Sequence, residues 1–546
     1  MHEAIFHGLN EQQRPAVEAV RGPVCILAGA GSGKTTTITR RIAYQVASET
    51  FSAPEILAVT FTDKAAKEMA ARLQVLGVSR VRARTFHSEA RAQYHGLTKD
   101  DAELLASKVP ILKSLVRALP MPYRFTAIRD IATEIEWAKN QMISTREYGG
   151  RLGDHQPPIP PDLMSSVFDR YEKRKARAGM LDFEDLLART LEVLTDPAAA
   201  EKVRSRYLAF TVDEYQDVNL LQQSLLNAWV GDRRDVCVVG DDYQSIYGFT
   251  GATGRYLLEF SRRYPEAPTI QLTLNYRSTP SILETSNALV PRLRGSSKVL
   301  RPTRADGEAP VFRGFATGGE EIDWIVARAD ELHSSGVPWE EIAVLYRINA
   351  RSEAFEEALS RAGFPYQVAD SPFLRRPGPR SVVQRLRRSS RTDVAAAVEE
   401  TAKALGYEED GGEAEGDEAT RQADLGRLVL MAKEFPSGGT VADFVADLVA
   451  RFTEEEDGRG IQLLTYHRAK GKEYEAMFLP RLEEGELPFA LARSEERVAE
   501  ERRLLYVGMT RAKQFLSLTW ASSREGEKRS RPNPSPFLAE MGKGAL

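Results

Sequence analysis

Apolar residues in this chain fall into two rhythms. Short, mainly apolar runs at Val24-Cys25-Ile26-Leu27, Ile56 to Phe61, Leu208 to Val212 and Val236 to Val239 have the length of buried strands, and Val81 to His87 reads as another strand. Between them apolar positions recur at helical spacing, as in Ile38-Thr39-Arg40-Arg41-Ile42 and after Thr62-Asp63-Lys64-Ala65-Ala66. Strands alternating with helices predict an α/β fold with a parallel sheet, whose ligands gather at the carboxyl ends of the strands. Between residues 96 and 206 helical periodicity takes over, in Ile128 to Met142 and Leu163 to Ala178, with a proline-rich break at Gln156 to Pro161. A second α/β unit is predicted from residue 270 on. It uses Thr269 to Leu274, Val311-Phe312, Ile342 to Tyr346, Ile461 to Thr465, Ala476 to Leu479 and Phe515 to Trp520. A mainly helical interruption, 377–458, splits it. The expected organisation is a first unit of 1–95 and 207–270 with a helical insertion at 96–206. The second unit takes 271–376 and 459–546, with a short insertion at 377–458.

Composition narrows this picture only slightly. A length of 546 residues exceeds one core and implies about three or four domains. No apolar stretch has the length of a membrane span, and nothing at the start reads as a signal peptide, so a reducing cytoplasmic setting is expected. Two cysteines, Cys25 and Cys237, sit in strand-like runs and read as buried core thiols. The net charge of −4 argues against coating DNA by bulk electrostatics, but it permits a local basic groove. Charge is also blocked along the chain. Arg375, Arg376, Arg380, Arg385, Arg387, Arg388 and Arg391 form a run without an acid, suited either to phosphate contact or to a solvated face. Glu408 to Glu418 is acidic and glycine-broken, and is expected to be a solvated, disordered loop.

The chemistry starts at Ala28-Gly29-Ala30-Gly31-Ser32-Gly33-Lys34-Thr35-Thr36, between an apolar strand and a helix. A glycine-rich turn there points backbone N–H groups inward, the helix dipole favours an anion, and Lys34 adds a mobile cation. Thr35 is placed to ligate Mg²⁺ through its hydroxyl. Ala28 stands where the consensus has glycine, a mild departure because Gly29, Gly31 and Gly33 remain. Nucleoside triphosphate binding is expected. Val212-Asp213-Glu214 then ends a strand in adjacent carboxylates, fit to hold Mg²⁺ and to orient an attacking water, although such a pair alone also suits a helix N-terminus. The next strand ends in Gly240-Asp241-Asp242-Tyr243-Gln244-Ser245-Ile246-Tyr247-Gly248-Phe249. That segment carries an amide able to sense a γ-phosphate and two aromatics suited to stacking on bases.

With these residues in view, the chain resembles a superfamily 1 DNA helicase of the UvrD/Rep/PcrA type. The resemblance rests on ten stretches in the family's order: Leu9–Gln13, Ala28–Thr36, Ala58–Ala66, Thr85–Ser88, Val212–Asn219, Val239–Ala252, Leu274–Ser278, Leu345–Arg347, Thr465–Glu473 and Glu500–Ala512. It covers nearly everything outside 377–458, and implies two RecA-like P-loop motor domains, each carrying an insertion. It further implies that Gln13 reads the adenine edge, Tyr276 packs on the base and Glu473 lies near the ribose. Lys34 and Thr35 would serve phosphate and Mg²⁺, Asp213 the metal, and Glu214 would be the general base. Gln244 would sense the γ-phosphate, and Arg277 and Arg511 would reach it from the second motor domain. Thr60, Phe61, Thr85, His87, Tyr247, Phe249, Arg347 and His467 match positions lining a single-strand groove.

Several residues depart from the family's pattern. Phe249 replaces a usual Trp, Thr250 a frequent Arg and Asp63 a usual Asn, while Thr36 stands where some members place an Arg against the adenine. Arg468 and Lys472 add positive charge near the groove. The insertion at 377–458 is shorter than in well-known relatives. The resemblance implies ATP-driven movement 3′ to 5′ on single-stranded DNA and at single-strand/duplex junctions, in DNA repair or replication restart. It also implies repair-protein partners, no membrane, and a bacterial, nucleoid-associated setting. The alternative is a translocase that strips bound proteins and unwinds poorly alone.

Overall fold

The computed structural model describes residues 2–100, 103–368, 374, 377–387, 389, 391–407, 417–436, 438–453, 460–523 and 533–542. Six strands form the first sheet: β1 Val24–Ala28, β2 Ile56–Thr60, β3 Arg82–Thr85, β4 Ala209–Val212, β5 Val236–Gly240 and β6 Thr269–Leu272, in the order β3-β2-β4-β5-β1-β6 with parallel pairing. The mainly apolar character of β1, β2, β4 and β5 follows from burial on both faces. Cys25, Leu27, Leu57, Val59, Phe210, Val212 and Val238 point into one core, and Val24, Ile26, Ile56, Ala58, Ala209, Cys237 and Val239 into the other. Each strand divides its residues by the two-residue pleat. Both cysteines are buried and free, as expected.

One predicted strand changes sheet. The stretch from Thr269 was expected to open the second α/β unit, but β6 pairs with β1, with Cys25 opposite Thr269 and Ala28 opposite Leu272. Without it β1 would be an edge strand with open ladder groups directly before the glycine turn. The chain leaves β6 straight into Leu274-Asn275-Tyr276-Arg277, so this pairing also delivers Arg277 to that turn.

A second six-stranded sheet contains β7 Val311–Phe315, β8 Ile342–Tyr346, β9 Tyr366–Val368, β10 Ile461–Thr465, β11 Tyr474–Leu479 and β12 Ala512–Ala521, in the order β7-β12-β11-β8-β10-β9. The helices at Val109–Arg117, Ile128–Asn140 and Pro161–Arg177 share a core of their own, including Leu112, Ile131, Ile135, Phe168 and Tyr171. The helix Phe183–Val193 instead packs Leu186 and Leu187 into the core of the first sheet.

The chain divides into two compact units. One is Met1–Ile325, Leu345–Arg347 and Tyr466–Leu546; the other is Val326–Val344 and Ile348–Thr465. The second unit holds helices Pro377–Leu386, Val394–Lys403, Asp417–Lys433 and Val441–Thr453, packed through Val382, Leu386, Val398, Leu425, Leu428 and Phe444. Of the arginine run, Arg375, Arg376 and Arg388 lie outside the described residues; Arg380, Arg385 and Arg387 are exposed, and Arg391 pairs with Glu400. Of the acidic stretch Glu408 to Glu418, residues 408–416 also lie outside them, and Asp417 and Glu418 open the helix Asp417–Lys433 rather than ending a disordered loop. No helix among the described residues is long and apolar enough to cross a membrane.

Candidate functional site

The glycine turn follows β1 and feeds the helix Lys34–Ala47. Gly33 precedes that helix at φ +78° and no side chain caps it, so its first N–H groups are free for an anion. Crowding makes glycine necessary here. A Cβ on Gly31, at φ +65°, would lie 2.6 Å from Asn275 Nδ2 and 2.9 Å from Arg277 Cβ, and one on Gly33 would lie 2.6 Å from Gln13 Nε2. Ser32, inside the turn, has a buried hydroxyl with no hydrogen-bond partner. An uncapped helix start, an orphaned hydroxyl and a glycine-rich turn fit a bound phosphate.

Across the sheet, β4 ends at Asp213 and Glu214. Glu214 holds a left-handed backbone, φ +51°, that non-glycine residues seldom adopt. Lys34 Nζ is paired with Glu214 and lies 3.8 Å from Asp213 Oδ1. Burial alone would push the Glu214 carboxyl up, but the ammonium groups of Lys34 and Lys470 hold it well below the usual range. Burial, with Glu214 adding repulsion, raises Asp213 in spite of Lys34. Thr35 is the second residue of the helix. A hydroxyl and a carboxylate are hard oxygen donors that suit Mg²⁺.

Gln13 is buried against the turn, and its Nε2 donates to the Ser32 carbonyl at 3.0 Å. Tyr276 donates its N–H to the Gly31 carbonyl at 2.9 Å, while its ring is 47 % exposed and its hydroxyl accepts from Asn10 Nδ2 at 2.7 Å. Asn275 Nδ2 donates to the Ala30 carbonyl at 2.7 Å. Thr36 accepts from Arg72 Nη1 at 3.4 Å. Arg277 donates to Glu473 at 2.6 Å and to the Thr510 carbonyl at 2.9 Å. Arg511, directly before β12, is only 2 % exposed. It donates to Gln244 Oε1 at 3.1 Å and to the Val507 carbonyl at 3.2 Å, both neutral acceptors, and among the described residues no carboxylate lies within 4.0 Å of it. Burial, and then repulsion from Arg277, push its guanidinium down to about 9. Gln244 in turn donates to Asp241 at 2.8 Å. Gln13, Tyr276 and Arg277 therefore meet at the glycine turn, and Arg511 meets Gln244.

Sequence reasoning assigned no role to Lys470, which lies within the quoted stretch Thr465–Glu473. Its ammonium pairs with Asp217, donates to the Gln244 carbonyl at 2.6 Å, and sits 4.9 Å from the Tyr247 ring centroid. It thereby joins the acid end of β4 to the aromatic segment after β5.

The residues expected to line a groove fall into two groups. Tyr247, Phe249 and His467 form a ring cluster, with Phe249 edge-on to His467 at 5.4 Å and 46 % exposed. Arg347 lies close enough to His467 to affect its titration, but its guanidinium forks onto Glu501 at 2.7 and 3.0 Å. The second group ends β2 and β3, where Thr60 and Thr85 are register partners. Thr60 is buried with an unpartnered hydroxyl, Phe61 packs against the core, and Thr85 caps the helix Phe86–Thr98 by accepting from the Ser88 N–H. His87 packs edge-on against Phe183 at 5.6 Å.

Burial, reinforced by Lys108, pushes His87 down to about 4. Burial with Arg347 and Lys470 pushes His467 to about 3. Both rings are neutral at pH 7, whereas in the unfolded chain they titrate at about 6.5. The unfolded state then binds more protons below that value, so the stability from neutral rings is full above pH ~6.5 and falls as pH drops through the folded values. His467→Gln is expected to flatten the pH dependence of the urea midpoint between pH 7 and 4; an unchanged slope would contradict a buried neutral imidazole.

A phosphate cradle before a helix, acids following another parallel strand of the same sheet and arginines delivered beside them define a P-loop motor with two RecA-like domains. The chain belongs to the UvrD/Rep family of DNA helicases. Residues 9–265 match the UvrD/REP helicase N-terminal domain, and residues 270–403 and 394–523 match the UvrD-like helicase C-terminal domain. The chain is 40 % identical to the ATP-dependent DNA helicase UvrD2 of Mycobacterium tuberculosis (strain ATCC 25618 / H37Rv), over 98 % of this chain and 82 % of the relative. It is 32 % identical to UvrD1 of the same strain, over 99 % and 86 %, and 31 % identical to DNA helicase II of Escherichia coli (strain K12), over 98 % and 88 %.

Proposed function

We propose that this protein is an ATP-dependent DNA helicase that moves 3′ to 5′ on single-stranded DNA and separates duplex ahead of it. Arg511 carries the reading. Among the described residues the hydrogen-bond acceptors of this buried guanidinium are neutral, with Glu214, Asp241 and Glu473 acting on it only from a distance, and an incoming phosphate would supply a direct anionic partner. In this reading the triphosphate lies between the Gly29–Lys34 turn and the pair Arg277 and Arg511, with its base between Gln13 and Tyr276 and its ribose near Glu473. Mg²⁺, held by Thr35 and Asp213, would supply charge neutralisation at the phosphates. Lys34 turns from the two acids toward phosphate, which frees Glu214 to take a proton from the attacking water. Arg277 and Arg511 stabilise the charge that develops, and because they stand across the cleft, turnover depends on its closure.

The exposed ring of Phe249, with Tyr247 and His467, supports a sequence-tolerant stacking platform for single-stranded DNA. Thr60, Phe61, Thr85, His87 and Arg347 complete the proposed groove, which meets the tail at a single-strand/duplex junction. A bacterial, cytoplasmic repair role with repair-protein partners accords with the bacterial relatives. Duplex steps average about 1.4 kcal/mol, so one pair per cycle is a modest demand.

The test is turnover of ATP with and without oligothymidylate, followed by strand displacement on 3′- and 5′-tailed duplexes. Strong stimulation and displacement on the 3′-tailed substrate alone are expected. Stimulation without displacement on either substrate would point instead to a translocase that clears bound proteins, and preference for the 5′ tail would reverse the proposed polarity.

A further inference from the structure

The helical insertion meets the ring cluster at one place. Asn140 and Gln141, at the end of the helix Ile128–Asn140, face the turn formed by residues 247–251. Asn140 Nδ2 donates to the Thr250 carbonyl at 2.8 Å, and Gln141 Nε2 donates to the Gly251 carbonyl at 2.9 Å. Asn140 is only 5 % exposed. The fit is close, because Gly251 is at φ +90° and a Cβ there would lie 2.9 Å from Gln141 Nε2 and 3.4 Å from Asn140 Cβ. Within the turn, the Thr250 N–H donates to the Tyr247 carbonyl at 3.0 Å and the Gly251 N–H to the Gly248 carbonyl at 2.9 Å. On its other side the Gly248 N–H donates to Glu500 at 3.2 Å. The turn carries Phe249 at its centre.

An exposed ring that wanders must be ordered each time a base stacks on it, and that ordering weakens binding. A ring presented by a fixed backbone avoids the cost. Two side-chain amides meeting two successive carbonyls fix the turn's backbone, while Phe249 stays exposed. We propose that Asn140 and Gln141 are positioning residues for the DNA groove, a paired amide clamp by which the helical insertion holds the turn that presents Phe249. The proposal deepens the functional reading above and rests on its assignment of Phe249 to base stacking.

The experiment uses the full chain, with anisotropy of labelled oligothymidylate for binding and ATP turnover titrated with the same oligonucleotide. Asn140→Asp and Gln141→Glu keep the side-chain shape but set a carboxylate oxygen against a carbonyl oxygen; the alanine variants only delete the donor. Kd for oligothymidylate, and the concentration giving half-maximal stimulation, are expected to rise about tenfold in the Asp and Glu variants. Turnover at saturating DNA, and turnover without DNA, should stay within about twofold. If the two residues merely pack, the isosteric variants will bind as the wild type does, and that result overturns the clamp. Gln141 is only half-buried, so Gln141→Glu decides the matter even where Asn140→Asp does not fold. A wild-type chain that binds oligothymidylate without any stimulation of turnover counts against the functional reading instead, and the anisotropy series still judges the clamp.

Discussion

Glu214→Gln is expected to leave nucleotide bound while its turnover falls by about 10²–10⁴, the range for loss of a general base. The turn that would hold the phosphates is untouched by this change, because Gly31, Ser32, Gly33 and Lys34 keep their places and Asp213 remains 3.8 Å from the ammonium. The amide oxygen can still accept from Gln216, which donates to Glu214 Oε2 at 2.6 Å. The NH2 replaces the oxygen that accepts from Lys34, so that ammonium loses this partner and keeps Asp213 nearby. What disappears is the basic oxygen. The strained backbone at φ +51° argues in the same direction, since such a conformation persists only where the surroundings over-determine it. The competing account makes Glu214 a counter-ion for Lys34, which it does contact. On that account the glutamine variant binds nucleotide altered in affinity and turns it over at nearly the wild-type rate. Single-turnover measurement beside nucleotide titration separates the two, and near-wild-type turnover would remove Glu214 from the chemistry.

Much of this arrangement was legible in the residues because the signals are local. A strand buried on both faces has to be apolar throughout, so β1, β2, β4 and β5 announced themselves, and the acids and glycines fall directly at their ends. The edge strand β6 was different. Thr269 and Gln271 are exposed and only Leu272 is fully buried, so nothing in its pattern says which sheet it joins. That choice is made by hydrogen bonding to β1, over 240 positions earlier in the chain. Pairings of the same non-local kind were equally hidden. Arg347 shows a cation at a strand end, but its partner Glu501 comes from a distant helix. Asn140 and Gln141 look like the polar end of any amphipathic helix, and their partners are backbone carbonyls, which carry no sequence signature at all. Lys470 belongs to a recognisable stretch, yet only the fold reveals that one ammonium serves both Asp217 and the Gln244 carbonyl.

Arg511→Met is expected to cut ATP turnover by about 10³–10⁵, the scale of an arginine finger, while thermal stability holds or rises. The two halves of this expectation come from one observation. Every acceptor of the guanidinium among the described residues is neutral, and burial and then Arg277 push it down to about 9, so the folded chain carries a poorly compensated charge. Replacing it with an apolar side chain of similar length removes that burden. A purely structural arginine would behave in the opposite way, losing stability and sparing turnover in whatever protein remained folded. Arg511→Lys sharpens the comparison, because it keeps the charge but not the planar fork that reaches Gln244 and phosphate together, and it should not restore the rate. Arg277→Ala should fall on the same scale but with a different signature. Its guanidinium already has Glu473 as a partner at 2.6 Å, so its loss frees a carboxylate and brings no gain in stability. The double variant should be little worse than either single one if both act on the same developing charge. Full additivity of the two losses would mean that the arginines work on separate steps, and a pocket closed jointly by both would then have to be abandoned.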